Sequence, residues 1–379
     1  MKNILYYLKK FGHCTFEERP FSDVDSLILS AMSYMMFDGI VPALGEEKDS
    51  VGIGRLQSEF VLNRLVVNTM DPKLNRKLWR LLAACPRFKE MRLHYLRDVT
   101  DDGIIEQFAA VTCLLPGEGL HICFRGTDLT LLGWKEDFNM SYLDEVPAQA
   151  EAVRYVNEVA ALTEGKIYIG GHSKGGNLAM YAAMNCQDGA RERIAGVFNH
   201  DGPGFRTDVF NTESYAKLRE RVHKIIPSDD MVGMLLIHAE EVKVVKCRGL
   251  VILQHDPYNW AIGKDGAFKS VSSKSAQSEF LGVTLSTWIE SMQENRPRFV
   301  DLLFYILGAD DGVTVVDYRA KPMHNVREAK KRFRALDEDS QAFFKDCFKQ
   351  LIKYGKQNLR RLKKERKKER EKEAEESEN

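Results

Sequence analysis

The 379-residue sequence predicts an α/β fold built on a mostly parallel sheet covered on both faces. Three observations lead there. Residues 167–184 read as a buried strand, a Gly-x-Ser-x-Gly turn and a helix in immediate succession. From about 105 to 260, strand-like and helix-like segments alternate. Before and after that stretch the apolar spacing is helical.

Residues from about 1 to 98 form a helical N-terminal layer in this reading. A segment over 21–34 opens on a cap signal, continues with apolar residues at helical spacing and is ended by Gly39-Ile40-Val41-Pro42. Two further helices are expected at 60–68 and 74–84, stopped near Asp71-Pro72 and Cys85-Pro86. The period then shortens. Residues 108–115 and 120–124 alternate as strands across Pro116-Gly117-Glu118-Gly119, a hairpin signal. Pro147 opens an amphipathic helix to about 163. Further strands are expected at 194–198, 222–226 and 242–245, with a helix near 215–221. The segments 284–292, 299–307 and 339–351 return to helical spacing. These boundaries divide the chain into a helical layer (1–98), a core (99–260), a helical C-terminal extension (261–355) and a charged tail (356–379).

Composition excludes several classes. Lys+Arg and Asp+Glu both total 55, so no global charge favours nucleic acid. The seven cysteines are scattered without close pairs, which suits reduced thiols in a cytoplasmic protein better than a disulfide framework or a zinc site. The N-terminal apolar run is too short for a signal peptide, and no stretch is long enough to span a bilayer. The tail is almost wholly Lys, Arg and Glu, basic first and acidic last. It reads as a disordered segment or a solvated single helix, with weak membrane-surface contact as the alternative.

The chemistry centres on Gly171-His172-Ser173-Lys174-Gly175. A serine on a sharp strand-to-helix turn projects its hydroxyl from the sheet edge, and the helix N-terminus behind it offers free N–H groups to a developing oxyanion. Flanking glycines are required because side chains there would meet the neighbouring strand and helix. Such a nucleophile needs a base, and a group to orient the base, expected in the order Ser, acid, His. His255, in a loop after a late strand, is the first base candidate, and His238 the second. Ile225-Ile226-Pro227-Ser228-Asp229-Asp230 puts two carboxylates after a strand. Asp230 is the first acid candidate, with Asp229 and Asp201 as alternatives. The oxyanion donors are the backbone N–H groups of Lys174 and Thr127. Arg125 and Asp128 hold the Thr127 loop in shape.

Phe124-Arg125-Gly126-Thr127, followed by Trp134 and Asp137, together with Gly171 through Ala179, resembles the class 3 (fungal-type) lipases. That family carries an F-R-G-[ST] oxyanion loop, a G-H-S-L-G-G elbow and an acid in a D-x-V-P-like loop. Asp230-Met231-Val232 is similar to the acid loop, and His255-Asp256-Pro257-Tyr258 resembles the histidine loop. A bacterial group of lipase-like proteins of undefined activity is more similar still. Its pattern includes a segment like 20–41, D-E-V-P-A-Q (144–149), D-G-P-G-F (201–205), V-G-M-L-L and Q-H-D (254–256). That group often lacks an acid at 229–230, which leaves the acid open. Lys174 stands where lipases carry leucine, so it is expected either to favour an anionic substrate or to point to solvent.

The resemblance implies an α/β-hydrolase fold and a serine esterase or lipase-like enzyme acting through an acyl-enzyme on Ser173. It needs no cofactor or metal and takes an acyl ester or lipid-like small molecule. The alternatives are an acyltransferase or thioesterase on the same fold, or a non-catalytic scaffold that uses the charged tail.

Overall fold

The computed structural model describes residues 2–229, 231–249 and 251–377. Eight strands form one sheet in sequence order: β1 Val51–Gly52, β2 Arg92–Asp101, β3 Glu106–Leu115, β4 Gly119–Phe124, β5 Ile167–His172, β6 Ile194–His200, β7 Val222–Pro227 and β8 Val242–Val245. The pairs from β1 to β4 are antiparallel, and those from β4 to β8 are parallel. With helices on both faces, this is the α/β-hydrolase fold the sequence predicts.

Alternation along the strands separates two cores. Phe108, Ala110, Ile122 and Phe124 face one way, against the helices Pro147–Leu162 and Lys174–Asn185. Val111, Cys113 and Cys123 face the other way, against Ile4–Phe11, Asp23–Met32 and Pro72–Ala84. Successive strand residues point to opposite faces, so apolar residues at both parities require cover on both sides. The N-terminal layer is locked internally by Arg87. Its guanidinium meets Asp25 at 2.7 and 2.8 Å and also donates to the Cys14, Thr15, Arg19 and Pro20 carbonyls.

β1 lies inside the stretch read as helical, and so does β2, which begins at Arg92. Its pairing with β3 shifts register between His94 and Arg97, and Tyr95 has φ 54°, so a bulge interrupts the period of two that would have marked it. Of the two readings of the charged tail, the helical one is present, continuous with the helix expected at 339–351 as Glu338–Ser377. A third core joins the C-terminal helices to the helix Leu131–Asn139 through Leu131, Trp288, Phe299 and Phe304. No helix among the described residues is long and apolar enough to cross a membrane.

Candidate active site

Parallel pairing places three strand ends side by side. Phe124 of β4 pairs with Gly171 of β5, and His172 of β5 pairs with His200 of β6. The residues that follow (Arg125 to Thr127, Ser173 and Asp201) therefore emerge at one carboxyl edge, where open α/β sheets place their ligands.

Ser173 joins β5 to the helix Lys174–Asn185 with φ 58° and ψ −131°, a conformation that costs a non-glycine residue about 1–3 kcal/mol. Its N–H donates to the His200 carbonyl at 3.0 Å, which ties the turn to β6. The close packing expected of the flanking glycines is present. A side chain on Gly171 would run into the Gly175 backbone, and one on Gly175 into the Phe124 carbonyl.

His255 Nδ1 lies 2.6 Å from Asp201 Oδ2. Asp201 is buried at the end of β6 with φ 57° and donates its own N–H to Ile225 O at 2.8 Å. Its other oxygen accepts from Gly233 N at 3.2 Å. The loop after Asp201 is gripped from three sides. Gly202 N donates to Asn199 Oδ1, the buried Lys224 ammonium donates to Gly202 O, and Asn177 Nδ2 donates to Pro203 O and Gly204 O. Asn177 Oδ1 accepts from Gln149 at 2.8 Å, so the elbow helix unites the 144–149 and 201–205 stretches.

Asp229, another acid candidate, sits elsewhere. Asp229 is engaged by Gln254, whose amide donates to its carboxylate at 2.5 Å and accepts from its N–H at 3.0 Å. Asp230 lies outside the described residues. Among the described residues, the carboxylate at His255 is that of the third-ranked Asp201. Two adjacent aspartates after a strand made the end of β7 the more conspicuous position, although Asp201 also follows a strand. The signal that favours Asp201 is that β6 adjoins β5, the strand that ends in Ser173. His238, the alternative base, faces Leu236 O through Nδ1 at 3.2 Å.

The sequence reading gave no role to Tyr34 or to the His172 side chain. Tyr34 Oη lies 2.9 Å from His172 Nδ1, and His172 Nε2 lies 2.7 Å from the His255 carbonyl. Burial drives the His172 imidazole well below its ordinary pKa, with His255 adding to the effect, so the ring is neutral. Burial also raises the Tyr34 phenol, which stays protonated. The phenol therefore donates to Nδ1, and Nε2–H donates to the carbonyl. The N-terminal layer thereby reaches the histidine loop.

On the oxyanion side, Thr127 Oγ1 donates to Asp137 Oδ2 at 2.5 Å. Burial pushes the Asp137 carboxyl up to about 6, against the opposing pull of Lys174. Arg125 makes a two-point fork with Asp98 at 2.8 Å, and Asp128 accepts from Thr130 N and Oγ1, so both shape the loop as expected. Among the described residues, no acceptor takes the N–H of Thr127 or of Lys174.

The profile of the Mbeg1-like family matches residues 82–305, more than half of the chain. The chain belongs to the Mbeg1-like family. That span runs from before β2 through Ser173, Asp201 and His255 into the C-terminal helices. A search of curated proteins found no match. Among solved structures, a crystal structure of M37 lipase is similar at 17% identity and a TM-score of 0.33, over 55% of this chain and 68% of that one. A likeness at that level carries no argument about activity.

One expectation for this Mbeg1-like chain is overturned. The Lys174 side chain neither points to solvent nor is available to an anionic substrate. It is 1% exposed and paired with Glu136 at 2.9 Å, both side chains being fully enclosed.

Proposed function

We propose that this protein is a lipase-like serine hydrolase of carboxylic esters. The observation that carries the reading is the 2.6 Å pair of His255 and the buried Asp201 on the loop edge that also holds the strained Ser173. In this mechanism Ser173 Oγ attacks the ester carbonyl carbon, and its proton passes to His255 Nε2. Asp201, at Nδ1, fixes the tautomer and stabilises the imidazolium. The carbonyl oxygen becomes an oxyanion held by the N–H groups of Thr127 and Lys174, with the helix N-terminus adding its positive end. Collapse breaks the bond to the alkoxy oxygen, which takes the proton from His255 and leaves as the alcohol. Water, deprotonated by His255, then attacks the acyl-enzyme. The carboxylic acid departs, and Ser173 regains its proton.

The test is hydrolysis of p-nitrophenyl acyl esters of graded chain length by wild type, Ser173→Ala and His255→Ala. Turnover abolished by either substitution in folded protein supports the reading. Turnover that persists in Ser173→Ala overturns it.

A further inference from the structure

The buried Lys174 ammonium is unusual because it belongs to the residue whose own backbone N–H is one of the two oxyanion donors. Its Nζ meets three acceptors: Gln107 O at 2.7 Å, Gln107 Oε1 at 2.8 Å and Glu136 Oε2 at 2.9 Å. An ammonium has three protons, so the set is complete. Both oxygens of Glu136 are also engaged. Its Oε2 accepts from Gln107 N at 3.1 Å, and its Oε1 accepts from Ala148 N at 3.0 Å.

Two routes lead from this ion pair to the other donor. Glu136 precedes Asp137 on the helix Leu131–Asn139, and Asp137 holds the Thr127 hydroxyl. Gln107 Oε1 also accepts from Asp128 N, at 3.4 Å, one residue beyond Thr127. One end of the Lys174 side chain thus carries the first donor. The other end is tied, through carboxylate and amide, to both sides of the second.

A buried ion pair is a poor stabiliser, because the cost of desolvating two charges cancels most of their attraction and an apolar pair often does as well. It does fix geometry, since both partners lose a great deal if they separate. Oxyanion stabilisation is demanding in the same respect, because misplacement by about 1 Å can cost on the order of 10²-fold in rate. We propose that Lys174 is a positioning residue that sets the spacing of the two oxyanion donors through its buried pairing with Glu136 and Gln107. This rests on the serine-hydrolase reading.

The experiment measures phosphonylation by a fluorophosphonate over a range of probe concentrations, separating the limiting rate from the apparent binding constant. Ser173 Oγ gives its proton to His255 and bonds to phosphorus, fluoride leaves, and the P=O oxygen occupies the oxyanion position. Wild type is compared with Lys174→Met/Glu136→Gln, which removes both charges and leaves neither orphaned. The expected result is a limiting rate lowered by about 10- to 100-fold per reactive site, with the binding constant changed less than threefold. A merely structural role would reduce the reactive fraction and leave the limiting rate of the remainder intact, and that result overturns the proposal.

If the double variant does not fold, Gln107→Met is measured in the same way. It removes the Oε1 acceptor, and the buried Gln107 Nε2 has no partner among the described residues to lose. A limiting rate equal to wild type would again overturn the proposal. If wild type does not react at all, the hydrolase reading falls and takes this inference with it.

Discussion

Replacing Asp201 by Asn separates the carboxylate charge beside His255 from every other property of its loop. Asn tolerates the left-handed backbone that Asp201 adopts at φ 57°, which Ala does not, so the turn survives. Asn can still accept from Gly233 N. What is lost is the negative charge beside His255 Nδ1, at 2.6 Å. Unit charges whose centres lie roughly 4 Å apart attract by about 4 kcal/mol at an effective dielectric of about 20. At about 1.4 kcal/mol per decade, that is close to 10³-fold in the rate of a step that creates an imidazolium. The asparagine amide also favours the tautomer with its proton on Nε2, which blocks proton acceptance from Ser173 and extends the loss toward about 10⁴-fold. The assay is the phosphonylation rate at saturating probe, with thermal unfolding as the check on folding. Asp230→Asn and Asp229→Asn are the controls, each expected within about threefold of wild type. The reasoning is refuted if Asp201→Asn stays within threefold, or if Asp230→Asn produces the loss instead.

Other perturbations read different parts of the molecule. Ser173→Gly removes the strain at φ 58° while adding the entropy cost of a glycine. It should be inactive yet about 1 kcal/mol more stable in urea unfolding. Arg87→Met leaves Asp25 buried without its partner and should cost about 3–5 kcal/mol by denaturant titration. Tyr34→Phe removes the donor to His172 Nδ1 and should lower the phosphonylation rate about 3- to 30-fold, consistent with one lost buried hydrogen bond of roughly 0.5–2 kcal/mol. Asp137 has a folded pKa of about 6, above its ordinary value of 3.8. Its protonated form is therefore favoured by folding, and its contribution to stability is full below about 4 and lost as pH rises through about 6. Asp137→Asn cannot ionise, so its melting temperature relative to wild type should rise between pH 4 and pH 7. A difference that is flat or falls over that range would contradict the assignment.

Much of the site was legible because local chemistry forced it. A strand ending in Gly-x-Ser-x-Gly admits few other conformations, and Ser173 adopts the strained turn the pattern requires. The Pro116–Gly119 turn fixed the hairpin of β3 and β4 in the same local way. The pairing of Asp201 with His255 was less legible because it depends on which strand lies beside β5, a tertiary fact that Asp201 does not carry in its own sequence. Lys174 was misread for a related reason. A lysine after a nucleophile suggests solvent or substrate, and its true partners, Gln107 and Glu136, lie 67 and 38 residues away. β2 was hidden by its bulge, and Tyr34 by its place in an otherwise ordinary helical segment.

The central claim, an activated Ser173 served by His255, is tested most directly by treating folded protein with a fluorophosphonate and mapping the adduct by peptide mass spectrometry. The account predicts one adduct, on the peptide containing Ser173, absent in Ser173→Ala and formed far more slowly in His255→Ala. No adduct on folded wild type, or an adduct on another residue that survives Ser173→Ala, would contradict it.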